Sequence, residues 1–326
     1  MEKIRWGILS TGNIAHSFAT GLQSVDDAEL VAVGSRNQDN ADKFAEEFDI
    51  PHAHASYEAL VNDPDVDVIY IGTPHTFHAE NTLLCLNAGK HVLCEKPFTL
   101  NASQAEECIR LAKEKNLFLM EAIWMRFIPA ILKLQEIISE GKIGDVTLVK
   151  ADFSFAFPYL PEHRLLNPEL GGGALLDVGI YPISFTTLLL GQPKKVDTHA
   201  IIGKTGVDEQ CTMLFHYDNV SAILSAGING NLDNDAVIKG TKGRIKVHAP
   251  FFMSQKLTIE IDGEEPEIMD IPFEGNGYNY EAEAVQSALS ADKIEHEKLN
   301  HDETLTTMKL MDAMRHEWGV IYPQES

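Results

Sequence analysis

The stretch "GILSTGNIA", residues 7–15, decides the fold. It joins an apolar run, "IRWGIL" (4–9), to an amphipathic segment, "NIAHSFATGLQS" (13–24), through a tight turn. On the pattern G-x-G-x-x-G/A it supplies Ser10, Gly12 and Ala15. Gly12 lets the backbone approach a pyrophosphate, Ala15 allows close helix packing, and the helix N-terminus offers free N–H groups to an anion. The context predicts a dinucleotide-binding turn, although Ser10 departs from the first glycine and a plain strand–helix turn is the alternative.

The residues of this turn are the first predicted cofactor contacts. We expect the nucleotide to contact a continuous segment made of Ser10, Thr11, Gly12, Asn13 and Ile14.

The same alternation of strand and helix continues through the first 120 or so residues. Five apolar runs read as strands buried on both faces: 4–9, 29–35, 66–72, 91–95 and 117–122. Four amphipathic segments between them read as helices: 13–24, 40–48, 76–89 and 101–116. Regular alternation indicates βαβ units, and therefore a parallel sheet covered on both sides, as in a Rossmann domain.

The pattern changes after about residue 123. A helix and a Gly-rich segment are followed by short apolar runs between about 195 and 272, separated by turn signals such as "YDNV", "GTKG" and "IDGEEP". These features predict a mainly antiparallel sheet, with closing helices near 278–290 and 301–318. The predicted fold is thus α/β, with a Rossmann domain at 1–122 and a substrate or oligomerisation domain at 123–326.

Composition excludes several classes of partner. The 326 residues include 49 acidic and 26 basic side chains, a formal charge of -23. Nonspecific nucleic-acid binding and attachment to an anionic membrane both need clustered Lys and Arg, so neither is expected. The four cysteines form no CxxC pair, and no window approaches about 18 uninterrupted apolar residues. We expect a cytoplasmic protein with reduced thiols.

The end of the second apolar run indicates the type of nicotinamide cofactor. A site that prefers NAD usually places Asp or Glu there to hold the ribose hydroxyls. Here the chain reads "VGSRNQDN" (33–40), so Ser35 and Arg36 occupy the position. Arg36 can bind a 2'-phosphate with two parallel hydrogen bonds and stack on the adenine. The sequence predicts NADP, with NAD as a possible cofactor and a solvated surface arginine as the alternative.

The segment "GTPHTFHAEN" (72–81) follows the next apolar run. Residues at the carboxyl ends of parallel strands face the ligand crevice, so Thr73, Pro74, His75 and His78 are expected to line the cofactor's path. A metal pair is the alternative for the two histidines, but no third Cys or carboxylate ligand is evident nearby. No metal site is predicted.

The segment "HVLCEKPF" (91–98) places two opposite charges at a strand end. Successive side chains of a strand point to opposite faces, so Glu95 and Lys96 are expected to have separate roles. Pro97 biases Lys96 toward an extended backbone.

Several longer segments resemble one family. "GTPHTFHAENTLLCLNAGKHVLCEKPFTLNASQAEE" is similar to the glucose-fructose oxidoreductase, inositol dehydrogenase and MocA family. "EAIWMRFIPA" (121–130) and "GGALLDVGIYPISF" (172–185) resemble the branch that contains dimeric dihydrodiol dehydrogenase and NADP-dependent xylose dehydrogenase. The resemblance spans nearly the whole chain. It implies a Rossmann domain followed by an open-faced α/β domain whose sheet often forms oligomer contacts.

The resemblance also implies roles for four residues. By the E-K-P motif, Lys96 would lie near the nicotinamide and the substrate hydroxyl, with Glu95 on the cofactor side and a cis bond possible before Pro97. By the D-x-G-x-Y motif, Asp177 and Tyr181 would reach into the same cleft.

The chemistry of alcohol oxidation fits these roles. It needs a hydride acceptor and a group that removes the hydroxyl proton. Tyrosine, whose pKa is roughly 10, becomes a better base beside an ammonium. We expect Tyr181 to donate or accept the proton, Lys96 to assist it and Asp177 to orient substrate or lysine, with the first two roles interchangeable. The alternatives are a local contact between Asp177 and Tyr181, four residues apart, and an exposed strand-end lysine.

A second group of residues is a weaker prediction for the substrate pocket wall, because packing at a domain interface explains them equally well. It comprises Trp124, Arg126, Phe155 and Tyr278.

The sequence therefore predicts an NADP(H)-dependent oxidoreductase that acts on a small sugar, trans-diol or dicarbonyl. We expect a homo-oligomer, a dimer or tetramer, formed through the C-terminal sheet. A non-catalytic NADP-binding sensor is one alternative, and retention of both Lys96 and Tyr181 argues against it. An NAD-dependent glycosidase is another, and Arg36 disfavours it.

Overall fold

The computed structural model describes residues 3–325, which form two compact units. The first unit comprises the described residues up to Trp124 together with Glu274–Lys309. The second comprises Met125–Phe273 and the described residues from Leu310 onward.

The first unit is built on a parallel sheet of six strands. Its elements in chain order are β1 (Ile4–Leu9), α1 (Asn13–Leu22), β2 (Ala28–Gly34), α2 (Gln38–Phe48), β3 (His52–His54), α3 (Tyr57–Val61), β4 (Val68–Ile71), α4 (His78–Asn87), β5 (His91–Glu95), α5 (Ala102–Lys115) and β6 (Leu119–Ala122). The strand order is β3-β2-β1-β4-β5-β6, and every neighbouring pair is parallel. The order reverses between β1 and β4, where sheets of this kind bind ligands at the carboxyl ends of the strands.

The predicted helix starts reflect local side-chain chemistry. Asn101 caps α5 by accepting a hydrogen bond from Gln104 N at 3.0 Å, as the sequence predicts. Ser56 caps α3 in the same way through Ala59 N. The sequence analysis missed β3 and α3, because elements of three and five residues are too short to show a hydrophobic period.

The second unit is built on a sheet of eight strands. Its elements begin with α6 (Pro129–Ser139), β7 (Val146–Ser154), a π-helical turn (Leu175–Gly179) and α7 (Ile180–Leu190). The remaining strands are β8 (Lys195–Ile202), β9 (Asp208–His216), β10 (Ser221–Gly227), β11 (Ala236–Gly240), β12 (Gly243–Val247), β13 (Lys256–Ile261) and β14 (Glu267–Asp270). The order is β14-β13-β12-β11-β7-β10-β9-β8, and only β7 and β10 pair in parallel. The predicted fold class is confirmed.

Helix α7 lies in the core of the second unit. The helical stretch Pro168–Leu190 is long and apolar enough to cross a membrane, but 83% of its most apolar window is buried. Such burial is typical of a core helix in a globular domain. All four cysteines are free and buried.

The last two helices are α8 (Asn279–Ser290) and α9 (His301–Trp318). All of α8 and the first half of α9 belong to the first unit, whereas the predicted boundary at 122/123 places both helices in the second domain. Gln286 of α8 donates a hydrogen bond to Asp26 O at 3.0 Å, and Thr304 of α9 donates to Glu121 at 3.2 Å. The segment 274–309 therefore packs with the parallel sheet. Sequence order alone placed it with the second domain.

Candidate active site

The turn after β1 has a glycine-like backbone although its first residue is serine. Ser10 has a φ of 126°, in the region that favours glycine. Its Oγ accepts a hydrogen bond from Gly12 N at 3.2 Å, and its own N–H donates to Gly34 O of β2 at 3.0 Å. Ser10 thus departs from the nucleotide fingerprint in residue type while holding a backbone geometry suited to glycine.

Neither the backbone conformation nor the packing of the protein requires a glycine at position 12. Its φ is -81°, so the backbone does not require glycine. A Cβ there would lie 3.6 Å from Ser10 Oγ, an ordinary contact, with no closer described atom. Among residues 3–325, no side chain caps the N-terminus of α1. The backbone N–H groups at the start of α1 therefore face an open surface. This surface fits a pyrophosphate, which needs a close approach to the backbone.

A cavity of about 570 Å³ adjoins this turn and reaches the end of β2. Its lining residues, none of them acidic, are Ser10, Thr11, Gly12, Ser35, Arg36, Asn37, Asn40 and Tyr57. Arg36 is exposed and forms a hydrogen bond with the Tyr57 side chain. Burial raises the pKa of Tyr57, and the Arg36 charge partly opposes that effect. A cationic, carboxylate-free lining fits the phosphorylated ribose of NADP.

The sequence analysis missed three residues of this cavity. Asn37 caps α2 by accepting from Asn40 N at 3.3 Å, so both belong to a helix start that the sequence signals. Tyr57 comes from α3, an element without a sequence pattern strong enough to predict. It reaches the cavity only through the tertiary fold.

The carboxyl end of β4 carries the predicted threonine and histidines. Thr73 is buried, and its Oγ1 accepts a hydrogen bond from Asn81 Nδ2 at 3.0 Å. Pro74 is exposed and starts a short 3-10 turn, in which His75 is half-buried. These residues lie at the same edge of the sheet as the turn after β1, as predicted for residues that line a cofactor's path.

His78 holds two loops together instead of lining an open surface. It is 0% exposed, with Nε2 2.7 Å from Thr73 O and Nδ1 2.8 Å from Pro97 O. Burial lowers its pKa, and hydrogen bonds to the carbonyl oxygens of Pro97 and Thr73 oppose this effect. The side chain fixes the end of β4 to the turn that follows β5. The structure thus shows His78 buried between two turns, and its contact with a cofactor stays a prediction.

The two charges at the end of β5 have separate environments, as strand geometry predicts. Glu95 is buried; Oε1 accepts from Tyr70 OH at 2.5 Å, and Oε2 accepts from Lys96 N at 3.2 Å. Burial, and then the charge of Glu95, raise the pKa of Tyr70 well above its ordinary value, so Tyr70 stays a donor. The Lys96 side chain is half-buried, and the bond to Pro97 is cis.

A second carboxylate supports this turn from the neighbouring strand. Glu121 of β6 is 2% exposed. Its Oε1 accepts from Phe98 N at 2.8 Å and its Oε2 accepts from Thr304 Oγ1 at 3.2 Å. Both oxygens therefore hold chain segments in place.

A third carboxyl group, Glu281 of α8, has a different environment. It is 0% exposed, and within residues 3–325 neither side-chain oxygen has a hydrogen-bond partner. Burial raises its pKa well above the ordinary value, and the charge of Glu95 adds to this. Both effects favour the protonated form of Glu281 over the ionised form.

Two predicted pocket residues form one aromatic pair in the first unit. The rings of Trp124 and Tyr278 stack with centroids 4.7 Å apart and an interplanar angle of 9°. Gly21 of α1 permits this arrangement, since a Cβ there would lie 2.8 Å from Tyr278 Cβ and 2.6 Å from Asn276 Oδ1. The pair thus borders the helix that follows the nucleotide turn.

In the second unit, Asp177 lies in a π-helical turn, a feature often found at functional sites. It is 6% exposed, and its Oδ1 accepts from Arg164 Nη1 at 2.9 Å. Because the turn is π-helical, the i, i+4 spacing of an α-helix does not describe its position relative to Tyr181. The sequence analysis missed Arg164 as the partner of Asp177, because no local pattern links the two residues.

Tyr181 follows in the first turn of α7. It is 7% exposed and packs edge-on against Phe153, with ring centroids 5.5 Å apart, and its ring is tilted against that of Phe252, with centroids 5.0 Å apart. Asp208 supports the preceding turn by accepting from Leu175 N at 2.6 Å. Burial raises the pKa of Asp208 to about 7. An aromatic cluster and a buried carboxyl group thus hold the D-x-G-x-Y segment.

The remaining two weak candidates differ in environment. Arg126 is 1% exposed and donates from Nε to Ser184 Oγ at 2.8 Å and from Nη2 to Thr187 Oγ1 at 3.1 Å. These contacts indicate support of α7 more than direct substrate recognition. Phe155 is half-buried, with its ring 6.2 Å from that of Phe153. It lies in the same aromatic cluster as Tyr181.

Both halves of the chain match known sequence families. Residues 4–123 match an oxidoreductase family with an NAD-binding Rossmann fold, and residues 131–246 match the GFO/IDH/MocA C-terminal domain. The chain is 37% identical to the trans-1,2-dihydrobenzene-1,2-diol dehydrogenase of Xenopus tropicalis over 98% of this chain and 99% of that protein. It is 36% identical to the human protein of the same name, with 99% of each chain covered.

Solved structures show the same architecture. A 3-ketoreductase from Actinomadura kijaniata in complex with NADP and TDP-benzene is 28% identical, with a TM-score of 0.85 over 96% of this chain and 97% of that one. An aldose-aldose oxidoreductase from Caulobacter crescentus, complexed with glycerol, has a TM-score of 0.88 at 22% identity over 96% of this chain and 97% of that one. The second likeness concerns the fold alone.

Proposed function

Because the chain belongs to the GFO/IDH/MocA oxidoreductase family and has its NAD(P)-binding Rossmann domain, we propose that it is an NADP(H)-dependent dehydrogenase or reductase of small vicinal diols, sugars or dicarbonyls. The bound nicotinamide would accept or supply the hydride. The protein's own residues would bind the cofactor, position the substrate and move the proton.

The preference for NADP rests on one observation, the carboxylate-free cavity that contains Arg36. A 2'-phosphate there would meet a guanidinium already oriented by Tyr57. A carboxylate at the end of β2 would repel that phosphate, and the sequence has Ser35 and Arg36 instead. The NADP-bound ketoreductase with the same fold agrees with this choice.

The proposed proton transfer uses Tyr181 and Lys96. The Lys96 ammonium would stabilise the phenolate form of Tyr181 and donate to the substrate oxygen. Asp177 would orient the substrate or the lysine, with Arg164 balancing its charge. These roles rest on the resemblance and on the chemistry that a secondary alcohol requires.

The substrate class follows from two kinds of relative. The full-length relatives are named for a trans-diol of a six-membered ring, and the solved structure is named a 3-ketoreductase, in complex with TDP-benzene. Both enzyme names refer to a carbon that bears a hydroxyl or carbonyl group. We therefore favour a cyclic vicinal diol or a sugar over a linear alcohol.

We also propose a homo-oligomer, a dimer or tetramer, that assembles through the open face of the eight-stranded sheet. Ile201 of β8 and Ile223 of β10 are 49% and 43% exposed. Aliphatic side chains on an open sheet face are typical of a surface that another subunit covers. Free cysteines support a reducing, cytoplasmic location.

Cofactor binding and turnover test the proposal. NADPH and NADH oxidation or formation would be followed with a panel of sugars, trans-diols and dicarbonyls. Arg36→Ala should weaken NADPH binding by about 10- to 100-fold and leave NADH binding nearly unchanged, because only the 2'-phosphate loses a charge-assisted pair. Arg110→Ala, which removes an exposed helical arginine paired with Glu114, is the matched control. Equal weakening of both cofactors would contradict the assignment.

A further inference from the structure

Two histidines and an aspartate of the first unit form a cluster outside the proposed active site. His52 and His54 lie two residues apart on β3, so both side chains point to the same face of the strand. Asp63 Oδ2 lies 2.7 Å from His52 Nδ1 and 2.8 Å from His54 Nε2. The three atoms lie within 4.8 Å of one another, the one such group among the described residues.

The aspartate of this cluster is held rigidly. The Asp63 side chain is 4% exposed, and its second oxygen, Oδ1, accepts from Asp65 N at 2.9 Å. The backbone oxygen of Asp63 accepts from Lys90 Nζ at 2.7 Å. Hydrogen bonds that orient a carboxylate in this way are typical of metal ligands, because they fix the ligating oxygen.

The cluster is open to solvent on its histidine side. The side chains of His52 and His54 are 37% and 23% exposed, so an ion can reach the cluster from solvent.

We propose that His52, His54 and Asp63 bind a divalent transition-metal ion of the zinc class. Imidazole nitrogens with one carboxylate oxygen suit Zn²⁺, Co²⁺, Ni²⁺ and Cu²⁺, whereas Mg²⁺ and Ca²⁺ prefer oxygen ligands alone. Ligand atoms about 2.1 Å from a tetrahedral ion lie roughly 3.4 Å apart, so the two Asp63 contacts lengthen by about 0.6 to 0.7 Å as the ion replaces the protons that the imidazoles share with Asp63. Water completes the coordination on the exposed side.

The bound ion has a structural consequence. It joins β3 to the end of α3, across the segment that carries Tyr57. His54 O accepts from Ser35 N at 3.0 Å, which ties the same strand to the wall of the cofactor cavity. The ion stabilises this part of the first unit by mass action, because the unfolded chain does not hold the three ligands together.

Calorimetric titration of Zn²⁺ into chelator-treated protein without a polyhistidine tag tests the site. We expect one equivalent to bind. His52→Gln and Asp63→Asn should each weaken binding by at least about tenfold. His216→Gln is the matched control, since His216 pairs with Asp197 at 2.8 Å but lies outside any three-ligand group of the described chain.

A spectroscopic readout separates this site from surface adsorption. Co²⁺ should give visible ligand-field absorption in the wild type and in His216→Gln, and lose it in His52→Gln. His52→Gln should still bind NADPH, which shows that the exposed substitution leaves the fold intact. Absence of stoichiometric Zn²⁺ binding by the wild type, or equal binding by wild type and His52→Gln, would overturn the proposal.

Discussion

The turns that follow β1 and β5 lie at the same edge of the parallel sheet but are held in opposite ways. In the first, the side-chain contact is local, between Ser10 Oγ and Gly12 N, and the surface above it is open. In the second, Glu121 of β6 accepts from Phe98 N, while His78 of α4 contacts a carbonyl oxygen of the turn.

The proposed function accounts for this difference, because it requires the two turns to present different groups. A turn that binds a pyrophosphate presents backbone N–H groups, so its side chains have to be small and its outer surface open. A turn that presents a single reactive side chain needs that residue fixed to within a fraction of an ångström, so neighbouring elements support it. Changes in the first turn should affect binding, and changes in the second should affect turnover.

The largest expected effect comes from Lys96→Met. Loss of the ammonium should lower kcat by about 10²- to 10⁴-fold, the usual contribution of a group that assists proton transfer. NADPH affinity, measured by fluorescence titration, should change by less than about threefold, because binding depends on the first turn. Lys113→Met, which replaces an exposed lysine of α5, is the control. If Lys96→Met weakened NADPH binding but kept its kcat at saturating NADPH, the assignment of turnover to the second turn would be wrong.

The support of the second turn is tested by Glu121→Ala. Without the carboxylate, Phe98 N is buried and unpaired, which should lower the free energy of unfolding by about 2 to 3 kcal/mol and reduce kcat. Glu121→Gln keeps an acceptor for Phe98 N and, with Thr304 Oγ1 able to accept as well as donate, should recover most of both losses. Denaturant unfolding and steady-state kinetics measure the two effects. Equal stability of the Ala and Gln variants would show that the hydrogen bond does not support the turn.

Glu281 predicts a pH dependence of stability. Its pKa in the folded chain is raised, so above the ordinary value of 4.5 the folded chain retains a proton that the unfolded chain releases. The stability from this group is complete below the unfolded pKa and is lost as pH rises through the folded pKa, by up to about 1.4 kcal/mol per pH unit. Glu281→Gln should remove this slope above pH 4.5, while exposed Glu46→Gln should retain it. Parallel slopes in denaturant unfolding of all three proteins would refute the assignment.

The smallest effect should separate two variants of the first turn. Ser10→Ala and Ser10→Gly both lose the hydrogen bond to Gly12 N, but only glycine relieves the φ of 126°. The free energy of unfolding of Ser10→Gly should therefore exceed that of Ser10→Ala by about 1 kcal/mol. This difference is the backbone strain that glycine relieves, reduced by the greater conformational entropy of glycine in the unfolded chain. Thermal unfolding measures the difference. If alanine were equally stable, the positive φ would carry no strain.

Some residues of the candidate site could be predicted from the sequence and others could not. Ser35 and Arg36 were predicted because they follow a strand end at a known spacing from Gly12, and both line the cavity beside the turn after β1. Tyr57 was missed because its helix is too short to show a period. Glu281 lies nearly two hundred residues from Glu95 in sequence, and no local pattern marks a carboxyl group that becomes buried only when α8 packs on the sheet.

The sequence by itself determined the fold class, the nucleotide turn and the family, because strand–turn–helix periodicity and the E-K-P and D-x-G-x-Y motifs are local in the chain. Only the tertiary structure decided that 274–309 packs with the parallel sheet, that His78 and Glu121 support the lysine turn, and that His52, His54 and Asp63 meet. Those contacts join segments distant in sequence. Their partners are chosen by burial and sheet order, which no short window of residues encodes.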